Sequence, residues 1–152
     1  MVGSKAEHAG IIKRGALIVS AVSCSTIPHI SIIIGASYGA GKYAMCGRPY
    51  RPRFIFTWPI GRCSVMGPDQ LSRVMDIVQG KKNQDASEAA RRKENLRKEA
   101  ERDSECFRTS AVLLDGGVID PRHTRDVVDL CLEVVSESVY DGSSSHRGIA
   151  RL

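Results

Sequence analysis

The segment with the clearest chemical potential is Ile30-Ser-Ile-Ile-Ile34, Gly35-Ala-Ser-Tyr-Gly-Ala-Gly41 and Lys42-Tyr-Ala-Met-Cys46: a β-branched run, a glycine-rich turn and the opening of a helix. Such a turn brings consecutive backbone N–H groups to a helix N-terminus, where free donors and the helix dipole favour a negative oxygen. That oxygen belongs to a phosphate or to an oxyanion, or else the segment is only a tight strand-to-helix connection. Ala36 followed after four residues by Gly41-Lys42 nearly matches a phosphate-binding loop. Tyr43 breaks the match, because the position needs a Ser or Thr hydroxyl for Mg²⁺ and a phenol cannot take its place.

No catalytic dyad is visible elsewhere. Ser37 and Ser64 lack a G-x-S-x-G context, and His29, after Pro28, reads as a strand-edge residue. The five cysteines (Cys24, Cys46, Cys63, Cys106, Cys131) form no C-x-x-C, and the histidines His8, His29, His123 and His146 fall at no metal-ligand spacing. Reduced cysteines filling core gaps are expected, with no metal bound and an interior compartment. Oxyanion donors without an acid, base or nucleophile suit chemistry in which the substrate or cofactor supplies its own base.

The elements that must hold this turn follow from the rest of the 152 residues, a length that suits one domain with its own core. Hydrophobic residues at 42% and charged residues at 26% exclude collagen-like and wholly disordered chains. A net charge of +5 mildly favours anionic ligands, while aromatics at 5% are too few for a base-stacking platform, so no nucleic-acid partner is expected. No apolar run approaches the roughly 18 residues of a membrane span.

Ile11, Gly15, Ile18 and Val22, with Ile12, Ala16 and Val19 beside them, predict a buried helical face. Lys13-Arg14 before an apolar run also resembles a signal peptide, but Glu7 and His8 spoil its charged region. Strands are expected at Ile30–Ile34, Arg53–Trp58, Arg62–Met66 and Ala111–Leu114, and helices at 42–46 (closed by Gly47), Leu71–Val78 and Arg122–Val139. The last buries Val127, Cys131 and Val134 beside Val128, Leu132, Val135 and Val139, and starts at Asp120-Pro121. Residues 80–104 read as a charged surface helix with Glu88/Arg92 and Glu94/Lys98 pairs, Arg91-Arg92-Lys93 serving as a solvated face or an anion patch. Residues 141–152 read as a tail. Strands alternating with helices make the class α/β.

Gly35-Ala-Ser-Tyr-Gly-Ala-Gly41, Tyr43, Met45-Cys-Gly-Arg48, Tyr50, Pro52-Arg-Phe54, Trp58-Pro59, Arg62 and Ser64-Val-Met-Gly67 with Gln70 together resemble the carboxyltransferase (β) subunits of biotin-dependent acyl-CoA carboxylases, above all the methylcrotonoyl-CoA type. Ser110-Ala111, Asp115, Gly117, Ile119-Asp-Pro121 and Thr124-Arg125 resemble the late motif of that family, and Gly148-Ile149 with Arg151 its C-terminal end. The sequence departs from the pattern at Lys42, Pro68-Asp69 and Gly116.

The resemblance implies a crotonase-like (ClpP-type) ββα fold, with residues 1–152 as an incomplete C-terminal carboxyltransferase domain. It implies that the amides of Ala40 and Gly41 form a backbone oxyanion hole for biotin, with Tyr38, Gly39 and Tyr43 about the pocket. It also implies transfer of CO₂ from carboxybiotin to an acyl-CoA, here 3-methylcrotonoyl-CoA in leucine catabolism, with geranoyl-CoA sharing the motifs. The implied partners are a biotin carboxylase/biotin carrier α-subunit and sibling β-subunits, in the mitochondrial matrix of a eukaryote or the cytoplasm of a bacterium. Half the site lies on another domain, so the isolated chain is expected to be inactive. The alternative is a non-catalytic crotonase-like interaction module.

Overall fold

The computed structural model describes residues 4–79 and 86–137. Two parallel strand pairs form its centre. β1 (Ile30–Ile33) lies against β3 (Phe54–Thr57), with Ile30 opposite Phe54 and Ile33 opposite Thr57. β2 (Ala36–Tyr38) lies against β4 (Arg62–Ser64), with Ala36 opposite Arg62 and Tyr38 opposite Ser64. Two bonds carry the ladder from one pair to the next: Trp58 N–H to Ile33 O at 2.9 Å and Arg62 N–H to Gly35 O at 3.1 Å. The first chain takes three steps between the pairs, from 33 to 36, and the second takes five, from 57 to 62, so the turn at Trp58–Gly61 holds two extra residues. That turn closes on Gly61 N–H to Trp58 O at 2.8 Å. A Cβ on Gly61 would stand 2.3 Å from Thr57 Cγ2 and 2.9 Å from Trp58 O, an approach open only to glycine.

The far edge of β3 is also occupied. Gly116 N–H reaches Ile55 O, Thr57 N–H reaches Gly117 O and Ile119 N–H reaches Thr57 O, at 2.6, 3.1 and 2.9 Å. The Val118-Ile119 pair therefore lines up beside β3. Thr57, with no solvent exposure, donates its hydroxyl to Asp115 Oδ2 at 2.5 Å, and Asp115 Oδ1 accepts from Gly117 N–H at 3.0 Å. A buried carboxylate is tolerated only with such partners.

Among the described residues seven α-helices flank the strands: α1 (Ser4–His8), α2 (Ile11–Ser23), α3 (Gly39–Ala44), α4 (Pro68–Gln79), α5 (Ala86–Asp103), α6 (Cys106–Ala111) and α7 (Thr124–Ser136). α4 packs on α5. The 3-10 turn Pro121–His123 leads into α7, and Asp120 caps it by accepting from Arg122 N–H at 2.9 Å, as the Asp-Pro signal predicts. The Arg122 side chain and amide hold the Asp120 carboxyl down at about 2, so the cap is intact above the ordinary carboxylate range and is lost as pH falls through that value. Cys46, Cys63, Cys106 and Cys131 are buried, as the core-filling reading expects.

Several expectations are corrected. Ala111–Leu114 is not a strand: α6 ends at Ala111, and Leu113 turns left-handed (φ 60°) so that Leu114 N–H reaches back to Thr109 O at 3.1 Å. Leu113 is itself exposed, so the apolar run marks a helix end rather than a buried ladder. The glycine-rich turn contains β2, and its helix starts at Gly39 rather than Lys42. α4 starts three residues early, at Pro68. The faces predicted to be buried on α2 and α7 are covered only in part: Cys131 is buried, and Ile11, Val19, Val22, Val127, Val128 and Val135 are half-buried, but Ile12 is 70% exposed, Ile18 46%, Leu132 52% and Val134 45%. Apolar periodicity specifies the face, and the elements packed on it, α1 and α3 in the case of α2, cover only part of it. Of the charged helix, residues 80–85 lie outside the described residues, as do Val139 and the 141–152 tail. Within α5, the Glu94–Lys98 pair forms at 3.6 Å.

Thr57→Val keeps the shape of the side chain but strips a buried carboxylate of a donor. A loss of about 1–3 kcal/mol is expected in urea unfolding; an unchanged midpoint would show that Asp115 is satisfied without Thr57. With Ile12, Leu17 and Ile18 of α2 and Leu130, Leu132 and Val134 of α7 exposed, the chain at micromolar concentration is expected to self-associate and bind a hydrophobic dye. Sedimentation as a dye-free monomer would contradict this.

Candidate functional site

β2 delivers the chain into the turn at Tyr38, which is still extended (φ −119°, ψ 148°). Gly39 then takes a left-handed conformation (φ 69°), which an L side chain rarely adopts, and the helical turn begins at once. Ala40 and Gly41 fall in the first turn of α3, where N–H groups have no intrahelical acceptor. Among the described residues neither amide has a hydrogen-bond partner, and both residues are exposed. The Gly41 carbonyl is committed inward, accepting from Met45 N–H at 3.1 Å. The turn therefore presents two adjacent donors to solvent.

The other predicted residues frame these donors. Tyr38 is half-buried; a Cβ on Gly67 would lie 3.4 Å from its Cδ2, so its ring rests on the backbone entering α4. The Lys42 ammonium sits 5.8 Å from the centroid of the Tyr43 ring, within cation–π range. α3 ends at Ala44 with Met45 as its cap, short of the closure expected at Gly47; Cys46 turns left-handed (φ 59°) and Gly47 N–H reaches back to Tyr43 O at 3.2 Å, where a Cβ would stand 2.7 Å from Lys42 O.

Two cavities flank the turn. One, of about 430 Å³, is lined by Ile30 through Ser37 in unbroken succession and by Lys42, Met45 and Cys46, and it runs along β1. Burial pushes the Cys46 thiol above its ordinary range, which keeps it protonated and unreactive. The other, of about 440 Å³, is polar and is walled by Tyr38, Arg62, Asp69, Arg97, Glu101 and Glu105. Arg62 Nη1 pairs with Glu105 Oε1 at 2.9 Å, and Arg97 with Glu101 Oε1 at 2.6 Å. The bond from Glu105 raises the Arg62 pKa above its ordinary value. Sequence reasoning assigned Arg62 no role, although it is the one charge in the whole of Phe54–Gly67. Among the described residues no three His, Cys, Asp or Glu side chains gather as a metal site, and no helix is long and apolar enough to cross a membrane.

The arrangement can stabilise a developing negative oxygen with backbone donors. The sequence pattern of the carboxyl transferase domain matches residues 1–148. A Mycobacterium tuberculosis protein described as a probable biotin-dependent acyl-coenzyme A carboxylase beta2 subunit is 45% identical, over 100% of this chain and 30% of its own. The mitochondrial methylcrotonoyl-CoA carboxylase beta chain of Arabidopsis thaliana is 46% identical over 87% of this chain and 24% of its own. The crystal structure of the P. aeruginosa geranyl-CoA carboxylase beta subunit aligns with a TM-score of 0.82 at 35% identity, over 100% of this chain and 30% of that one. The chain thus spans about 30% or less of the length of these relatives.

Gly47→Ala tests how the turn is held from behind. The added methyl overlaps backbone, which cannot swing away as a side chain would, so a stability loss of about 1–3 kcal/mol is expected in urea unfolding. Wild-type stability would mean that the end of α3 adjusts freely.

Proposed function

Because this chain belongs to the carboxyl transferase domain family and carries part of its crotonase-like α/β fold, we propose that residues 1–152 are the later part of a C-terminal carboxyltransferase domain that moves CO₂ from carboxybiotin to an acyl-CoA. The observation that carries the reading is the pair of exposed, unpartnered amides of Ala40 and Gly41. Two adjacent N–H donors fit the ureido oxygen of biotin, which is acceptor-only and gains negative charge as CO₂ departs. Bound carboxybiotin supplies the CO₂ and the basic nitrogen. The chain supplies the two donors, fixed before the charge develops because Gly39 and the first turn of α3 hold them, and such a donor is typically worth about 10²–10³ in rate. Tyr38 and Tyr43 form the walls about the donors.

The favoured acyl-CoA is 3-methylcrotonoyl-CoA, since the Arabidopsis methylcrotonoyl-CoA carboxylase chain is 46% identical and the geranyl-CoA carboxylase chain 35%. Biotin arrives on a carrier subunit, and sibling β-subunits complete the site. A matrix location in a eukaryote, or the cytoplasm of a bacterium, follows from the same reading.

The test is a chimera in which this chain replaces the matching part of the P. aeruginosa geranyl-CoA carboxylase beta subunit, assayed for bicarbonate fixation with its biotin-bearing partner on both acyl-CoAs. Fixation is expected. Gly41→Ala keeps the N–H, and its Cβ meets nothing within 4 Å, so activity stays within a few-fold. Gly41→Pro deletes the donor in a first helical turn, where proline is tolerated, and lowers turnover by about 10²-fold, or about 2.7 kcal/mol. Lys42→Asn retains most activity. Loss in Lys42→Asn with full activity in a correctly assembled Gly41→Pro chimera would replace the oxyanion reading with a phosphate site, and a folded but inactive wild-type chimera would favour the non-catalytic module. The 152-residue chain alone, given free biotin, is expected to fix no CO₂.

A further inference from the structure

The strand that feeds the turn is short. β2 has three residues, and its one ladder partner among the described residues is β4, also of three residues. The position of Tyr38, and of the amides that follow it, is therefore set by whatever fixes β4. The other edge of β4 is tied to the junction of α5 and α6: Cys63 N–H donates to Ser104 O at 2.8 Å, and Arg62 bridges to Glu105 in antiparallel sense.

Arg62 fastens the same junction with its side chain. Its Nη1 lies 2.9 Å from Glu105 Oε1 and donates to Glu101 O at 3.4 Å. Glu101 O, in the last turn of α5 where a cation is favoured, also accepts from Ser104 N–H at 3.2 Å and from the Ser104 hydroxyl at 2.7 Å, so Glu105 is the stronger of the two Arg62 contacts. The Glu101 carboxylate is taken by Arg97, which leaves Glu105 as the carboxylate partner of Arg62. Arg62 and Tyr38 share the wall of the polar cavity.

We propose that Arg62 is a positioning residue for the oxyanion turn, holding β4, and through β4 the Ala36–Tyr38 strand, in the register that aims the Ala40 and Gly41 amides. The inference rests on the oxyanion reading of those amides. The Arg62–Glu105 pair is about half exposed and contributes little to global stability. Its loss therefore moves the turn more than it moves the fold.

Arg62→Gln, Arg62→Lys and Glu105→Gln separate these effects. In the 152-residue chain, hydrogen–deuterium exchange read by mass spectrometry compares peptides covering residues 35–41 with peptides covering 53–57. Arg62→Gln is expected to speed exchange in the first set by at least about tenfold while the β1–β3 set and the melting temperature hold. In the chimera the same variant lowers kcat at least about tenfold with KM for the acyl-CoA unchanged, as misplaced catalytic groups do, and Arg62→Lys restores part of the loss. Should Arg62→Gln unfold the chain, Glu105→Gln, which keeps the bond to Glu101 O, gives the same comparison. Unchanged exchange at 35–41 and unchanged kcat in a folded variant overturn the proposal. If Gly41→Pro still abolishes turnover in that case, the oxyanion reading stands alone. If Gly41→Pro is active, the reading falls and the inference with it.

Discussion

Thr57 has no contact with solvent, and every polar group it owns is committed within the chain. Its N–H goes to Gly117, its carbonyl accepts from Ile119 and its hydroxyl donates to Asp115. Because burial removes water as an alternative partner, these bonds must all be kept together or the site loses a satisfied group. The constraint fixes β3 between β1 and the 116–119 segment. β1 is thereby placed to pass into β2, and the Trp58–Gly61 turn to pass into β4. The oxyanion turn stands at the end of that chain of supports.

The division of labour is physical. Deep in the fold, small side chains such as Thr57, Cys63 and Cys106 allow close approach and exact the greatest burial. At the turn, Ala40 and Gly41 leave amides uncovered, and conformational freedom is spent at Gly39 alone. A donor that faces solvent costs little in the free protein, since water satisfies it, and it is ready for a charged oxygen without rearrangement. The polar cavity behind Tyr38 pairs its two arginines with glutamates, and Asp69 stands on its wall as a further carboxylate.

Much of this was legible in the sequence. Ile30–Ile33, α2 and the Asp120-Pro121 start of α7 announce themselves through period, β-branching and capping chemistry, and the spacing of glycines from 35 to 41 marks the turn. The start of α3 at Gly39 was not legible, because a glycine is compatible with either turn or helix and only the φ of that residue decides. Ala111–Leu114 deceived because four small or apolar residues end a helix as readily as they fill a strand; what separates the two is burial, a tertiary property. The stripes on α2 and α7 are apolar as the period says but buried only in part, at Cys131 and its half-buried neighbours, since periodicity says which side of a helix repels water and not what lies against it. Arg62 offered a signal, a charge isolated among apolar strand residues, but its partners on α5 and at Glu105 are some forty residues away in sequence, and only folding brings them together.

The two surplus residues of the Trp58–Gly61 turn carry a rule of parity. Along β3 and β4 the buried positions are all odd: Ile55, Thr57 and Cys63. Two is an even number, so side chains on either side of the turn keep the same sense, and Cys63 points inward as Thr57 does. A single added residue cannot be passed on to β4, since a slip by one against β2 would turn Cys63 to solvent and Arg62 toward the interior; the turn itself must absorb it as a bulge. A change of two residues keeps the alternation with no bulge at all.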